Sequence, residues 1–171
     1  MIETSIALDA SRALGERLPK GWKQRLRMLD GGASRGPDAI LVITGPDGNK
    51  TRLLVEAKTR LVPRSVADVK ARFAEYSSEP GLVVASFLSA STCARLRESD
   101  LNYLDLTGNC RLVLSRPGLY VESQGATVDP APVRASGRSL RGAKAGRIVR
   151  ALCDFPLPLT ISDLATKTKV D

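Results

Sequence analysis

The fold turns on one stretch, PDAILVITGPDGNKTRLLVEAK, Pro37–Lys58. Two apolar runs, Ala39–Thr44 and Arg52–Ala57, flank Gly45-Pro46-Asp47-Gly48-Asn49. Turn-forming residues between two apolar runs predict a β-hairpin. The second strand then ends in Glu56-Ala57-Lys58, a carboxylate and an ammonium two residues apart. A strand points residues i and i+2 to the same face, so Glu56 and Lys58 are expected to project together. That end is either an ordinary strand end reaching solvent or a place where chemistry is done.

The segments after the hairpin set the fold class. Pro63 and Ser65 open a segment in which Val66, Val69, Phe73 and Tyr76 recur at helical spacing, so an amphipathic helix is expected. GLVVASFL, Gly81–Leu88, is a continuous apolar run, as a central strand covered on both faces requires. A strand–helix–strand crossover demands parallel pairing, whereas the hairpin before it is antiparallel. SASTCARLRESD, Ser89–Asp100, predicts a second helix with a Ser or Thr cap. Leu101–Gly125 supplies two or three short strands, broken at Gly108-Asn109 and Pro117-Gly118. Asp105, Gly108 and Asn109 are expected to be turn-formers. Upstream, Ile6, Leu8, Leu14 and Leu18 predict a helix that Pro19 and Gly21 stop. WKQRLRML, Trp22–Leu29, alternates apolar and basic residues like a half-exposed strand. The expected class is α/β, with a mixed central β-sheet flanked by helices.

The chain has 171 residues, of which 43% are hydrophobic and 26% charged, enough for one core and a small appendage. Its first residues lack the basic and apolar regions of a signal peptide, and no apolar run approaches a bilayer span, so a cytoplasmic protein without membrane partners is expected. The three cysteines form no CxxC, which suggests neither a zinc site nor a disulfide framework. Histidine is absent, which removes the commonest general base and every Ser-His or Cys-His pair. Catalysis would have to run on carboxylates, lysine, tyrosine or a bound metal. The net charge of +8 points to a polyanionic partner, of which nucleic acid is the usual one.

The character changes after Gly125. Residues 125–143 are rich in Pro, Gly, Ala and Arg and are expected to be a basic linker between a first domain, 1–124, and a helical segment, 144–171. Arg134, Arg138, Arg141, Lys144, Arg147 and Arg150 succeed one another with no acid between them. AGRIVRALCDF predicts one helix, and Thr160 or Ser162 could cap another. The natural chain is expected to continue past Asp171.

The Glu-x-Lys tripeptide means nothing alone, since a chain of this composition holds roughly one such match by chance. Asp68-Val69-Lys70 is a second match, but it falls in a predicted helix, where i and i+2 do not face each other. Asp38, at the start of the preceding strand, is expected to come beside Glu56 across the hairpin. Two adjacent carboxylates repel unless a cation sits between them. Mg²⁺ takes hard oxygen ligands and could polarise a phosphate there, with a lysine on the same face orienting a water.

This order of elements, with Pro37-Asp38 and Glu56-Ala57-Lys58, resembles the PD-(D/E)xK restriction-endonuclease-like superfamily over about residues 1–124. The resemblance implies Mg²⁺ or Mn²⁺ at Asp38 and Glu56, water activation by Lys58, and hydrolysis of DNA phosphodiesters. Many members add a glutamate from the first helix, for which Glu16 is the candidate. The tail resembles the opening of a winged helix-turn-helix, with Lys169 where that turn often has glycine. The whole is similar to actinobacterial regulators that join a nuclease-like domain to a helix-turn-helix.

The sequence leaves three readings: a Mg²⁺-dependent DNA endonuclease; a non-catalytic DNA-binding regulator of antitoxin or defence type; and a basic structural domain whose Glu56–Lys58 pair is an exposed ion pair. Arg60, Arg64 and the six basic tail residues are expected phosphate contacts, and a homodimer would suit a palindromic site.

Overall fold

The computed structural model describes residues 2–29, 36–131, 142–156 and 158–169. The chain divides into two compact units, Met1–Pro130 and Ala131–Asp171.

The first unit opens with helix α1, Ile2–Arg17, followed by strands β1, Lys23–Met28, β2, Ala39–Thr44, and β3, Lys50–Lys58. A 3-10 turn, Pro63–Ser65, leads into α2, Val66–Tyr76. Strand β4, Gly81–Ala85, and helix α3, Ala90–Glu98, precede β5, Asn102–Asp105, β6, Cys110–Leu114, and β7, Leu119–Ser123. The seven strands form one mixed sheet in sequence order. β1–β2–β3 and β5–β6–β7 pair antiparallel, whereas β3–β4 and β4–β5 pair parallel. This is the expected α/β class, consistent with a restriction-endonuclease-like fold.

The layers result from the connections. The two parallel steps run in the same direction, and right-handed crossovers then put α2 and α3 on the same face of the sheet. Val66, Val69 and Phe73 pack there with Leu54, Val83, Ala85 and Leu96. The other face is covered by α1, whose Ile6, Ala7, Ala10 and Leu14 pack on Leu41, Val55, Ala57, Val84 and Leu112. Strand β4, covered on both sides, is buried at every residue, whereas β2 alternates buried and half-buried. Gly81 lets α2 lie close, because a β-carbon there would stand 2.4 Å from the Phe73 ring.

The hairpin turn forms from its own residues. Gly45 N–H donates to the Asn49 carbonyl, Asp47 Oδ1 accepts from Asn49 N–H at 3.0 Å, and Gly48 takes φ +82°.

Asp105, Gly108 and Asn109 do form a turn, and they also hold together the end of the sheet. The Asp105 carboxylate is fully buried. It accepts from Leu88 N–H at 2.8 Å, Thr107 N–H at 2.9 Å, Thr107 Oγ1 at 2.8 Å, Asn109 N–H at 3.0 Å and Asn109 Nδ2 at 2.7 Å. Asn109 Oδ1 in turn accepts from Gly125 N–H at 2.9 Å. Gly125 sits where a β-carbon would meet the Thr107 carbonyl oxygen at 2.4 Å. One carboxylate thus ties the β4–α3 loop to the β5–β6 turn, and Asn109 ties that turn to the segment after β7.

The second unit contains α4, Ala143–Asp154, and α5, Ile161–Thr168. Thr160 caps α5: its side chain accepts from Asp163 N–H, and the Asp163 carboxylate accepts from Thr160 N–H. Lys169 ends it at φ +49°, a left-handed conformation that glycine adopts more readily. No helix among the described residues is long and apolar enough to cross a membrane.

Asp105→Ala strands several buried N–H donors and should cost about 3 kcal/mol or more, read as a lower urea midpoint. Burial also governs cysteine reactivity. It pushes the thiols of Cys93 and Cys110 up to about 11, while Cys153 is exposed on α4. A raised thiol pKa means less thiolate, so at a pH of about 8 a disulfide reagent should label Cys153 rapidly and the other two slowly. Three equal rates would contradict this packing.

Candidate site at the carboxyl end of β3

β3 ends where the sheet changes from antiparallel to parallel pairing. The carboxyl ends of β3, β4 and β5 lie along one edge, with Lys58, Ala85 and Asp105 in register. Open α/β sheets commonly bind ligands at such an edge.

Glu56 and Lys58 share the face that α2 and α3 cover, and Lys58 Nζ lies 2.7 Å from Glu56 Oε1. The Glu56 side chain is only 4% exposed. A carboxylate so deeply buried needs compensation. Arg72 of α2 supplies more of it, with Nη2 2.6 Å from the same Oε1. Both cations keep some solvent exposure, 25% for Lys58 and 42% for Arg72.

Asp38 lies just before β2. Its N–H donates to the Val55 carbonyl, its own carbonyl accepts from Leu29 N–H, and its Oδ2 accepts from Ala57 N–H at 2.7 Å. The carboxylate therefore does the work of a backbone carbonyl and extends the β2–β3 ladder beyond the start of β2. This gathers Asp38, Glu56 and Lys58 at one strand end, with Asp38 held by the residue between the other two.

Other candidates are placed elsewhere. Glu16 is exposed near the end of α1, the helix that covers the face of the sheet opposite Glu56. Asp68 and Lys70 are exposed on α2. Arg60 and Arg64 are exposed just beyond β3. Lys144, Arg147 and Arg150 are exposed on α4, where Arg150 Nε lies 3.2 Å from Asp154. Arg134, Arg138 and Arg141 lie outside the described residues. Asp105 shares the sheet edge with Lys58, but both its oxygens are taken up by hydrogen bonds from its own loops, so it is no third ligand.

Sequence reasoning missed Arg72. It flanks the buried stripe of Val69 and Phe73 in α2, a position from which a long cationic side chain can reach along apolar surface to a buried anion. Only the packing of α2 on β3 identifies that anion as Glu56.

The Asp38 carboxylate accepts at Oδ2, and Lys58 and Arg72 both approach Glu56 at Oε1. Asp38 and Glu56 are the two carboxylates at this strand end. Two hard oxygens, completed by water and phosphate oxygens, suit Mg²⁺ or Mn²⁺. Among the described residues no group of three or more His, Cys, Asp or Glu forms a metal-binding cluster. A cavity of about 580 Å³ lies elsewhere, lined by Cys93, Arg97, Tyr103 and Glu122 among others; it contains none of these site residues.

No protein-family model matches the chain, and no curated protein matches it. Among solved structures the chain is similar to EndoMS in its apo form, at 21% identity and a TM-score of 0.36, over 61% of this chain and 45% of the other. The chain thus spans less than half the length of that protein, and a match of this strength leaves function to be argued from the site itself.

Removing one counterion of Glu56 leaves the other in place. Lys58→Ala and Arg72→Ala should each cost about 1 kcal/mol, because both cations are partly solvated. Together they leave a buried, unpaired carboxylate and should cost about 3–5 kcal/mol, more than the sum. Urea unfolding of the two single variants and the double variant measures the difference, and strict additivity would contradict a shared role.

Proposed function

We propose that this protein binds DNA and hydrolyses its phosphodiester bonds with a divalent metal held at Asp38 and Glu56. The observation that carries the reading is the Asp38 Oδ2 bond to Ala57 N–H, which draws two carboxylates and Lys58 to one strand end. The chemistry a bound Mg²⁺ or Mn²⁺ supplies is Lewis-acid stabilisation of charge on a phosphate. Asp38, fixed to the backbone of β3, would offer a carboxylate oxygen from a rigid position, and Glu56, buried at the same end, would offer the second. Lys58 holds Glu56 in place and, with its ammonium partly exposed, is the group on this face that can orient a water or neutralise charge developing on the phosphate. None of these roles needs histidine, which the chain lacks. Arg60, Arg64 and the basic residues from Arg134 to Arg150 contribute phosphate contacts that position DNA without reading its sequence.

A second reading has its own support. Glu56 is already neutralised by Lys58 and Arg72. A carboxylate so engaged is also what a nuclease-like domain kept for binding alone would retain, and the protein would then be a non-catalytic DNA-binding regulator.

Incubation with supercoiled plasmid in Mg²⁺, Mn²⁺ or EDTA separates the two. The enzyme reading expects metal-dependent nicking that Lys58→Ala lowers by a factor on the order of 10² or more. Metal-independent DNA binding with no nicking under any condition sinks catalysis and leaves the regulator.

A further inference from the structure

Among the described residues of the first unit, no helix packs on one face of β1, β2 and the first half of β3. Leu26 and Met28 of β1 pack toward α1, so Lys23, Arg25 and Arg27 point the other way and are exposed. Helices α2 and α3 cover that second face only from Leu54 across β4 and β5. Register fixes the neighbours of the three cations. Lys23 is opposite Thr44, which is opposite Lys50; Arg25 is opposite Val42, which is opposite Arg52; Arg27 is opposite Ile40, which is opposite Leu54. Directly opposed residues share a face, so Lys23, Arg25, Arg27, Lys50 and Arg52 form a single patch. It spans about 14 Å along β1 and about 10 Å across two strand spacings.

Among the described residues the patch is poorly compensated. Arg52 meets Glu79 at 3.2 Å, while Lys23, Arg25, Arg27 and Lys50 form no ion pair. Cations on an edge strand are often a guard against strand-to-strand aggregation. That explanation covers β1 but not Lys50 and Arg52, which lie on β3, an interior strand. Between the cations sit half-buried Thr44, Val42 and Ile40 rather than carboxylates. Like charges held at regular strand spacing, with no acid on the strand between them, suit a ligand whose negative charge also repeats.

The open face borders the candidate site. Lys50, Arg52, Leu54, Glu56 and Lys58 alternate along one side of β3. Leu54 and Glu56 lie beneath α2, so a phosphate backbone on the patch would come within about 20 Å of the catalytic candidates, at the margin of that cover.

We infer that the α1-distal face of β1–β2–β3 is the docking surface for duplex DNA, holding phosphates through Lys23, Arg25, Arg27, Lys50 and Arg52 and delivering the backbone to the end of β3. The inference rests on the reading of DNA as partner, but not on catalysis.

The test is fluorescence anisotropy of the full chain with a labelled duplex of about 20 base pairs across a salt series. Lys23→Glu/Arg25→Glu/Arg27→Glu should weaken binding at least about tenfold and flatten the log–log salt slope by about 2 to 3. Lys50→Glu, on the interior strand, should weaken binding independently with a smaller change in slope. It also keeps the inference testable if circular dichroism shows the triple variant misfolded. Wild-type binding that the folded variants leave unchanged overturns this surface while the DNA reading stands. A wild-type chain that ignores the duplex but binds single-stranded RNA or polyglutamate overturns both.

Discussion

Strand β3 has to satisfy two neighbours of opposite sense, antiparallel β2 on one side and parallel β4 on the other. Much of the molecule is a consequence of that. An antiparallel neighbour needs only a turn, and a five-residue loop suffices. A parallel neighbour needs a crossover, and the crossover helix must lie on a face of the sheet. Because the step to β5 repeats the step to β4, α2 and α3 share that face, and α1 covers the other. Among the described residues of the first unit, the helices therefore shelter β4 fully and leave β1, β2 and the first half of β3 uncovered on one side. Glu56 sits on the boundary between the sheltered and the open regions, so its carboxylate is buried while its counterions still reach solvent.

The two buried carboxylates at this sheet edge are stabilised in different ways. Asp105 is held by backbone and side-chain donors from its own loops, groups that cannot leave without unravelling the turn. Glu56 is held by two long cationic side chains from β3 and α2, both partly solvated. Charged side chains exchange partners at little cost where water reaches them, and fixed dipoles do not. The first arrangement is suited to architecture, the second to a site that must accept a ligand. This asymmetry, more than the Glu-x-Lys spacing, sets Glu56 apart as the functional candidate.

The features legible in the sequence were local and periodic. The glycine, proline and asparagine of the turn placed the hairpin, and the strand period put Glu56 and Lys58 on one face. The continuous apolar run of Gly81–Ala85 marked a strand covered on both sides. The hidden features were non-local. Arg72 is an ordinary helix cation until α2 lies across β3. Asp38 was legible as a carboxylate near Glu56, but its role as a stand-in ladder acceptor depends on the backbone leaving the sheet there. Asp105 looked like an ordinary turn residue because its donors come partly from Leu88, seventeen positions away. The alternation of basic residues in Lys23–Arg27 was visible, but that Lys50 and Arg52 join them depends on the register across three strands.

That register also separates two questions that a nuclease-like chain tends to merge. Binding a polyanion needs only uncompensated cations on an accessible face, and β1 and β3 provide them well away from Glu56. Cleaving it needs Glu56 to loosen its hold on Lys58 and Arg72 so that its carboxylate can serve another cation. A phosphate backbone arriving at this strand end would favour that exchange, because each phosphate it brings offers Arg72 and Lys58 an alternative anion. Loss of catalysis through a tightened Glu56 pair would leave the docking face untouched. The endonuclease and regulator readings thus share a surface and part only at the Glu56 carboxylate and the counterions that hold it.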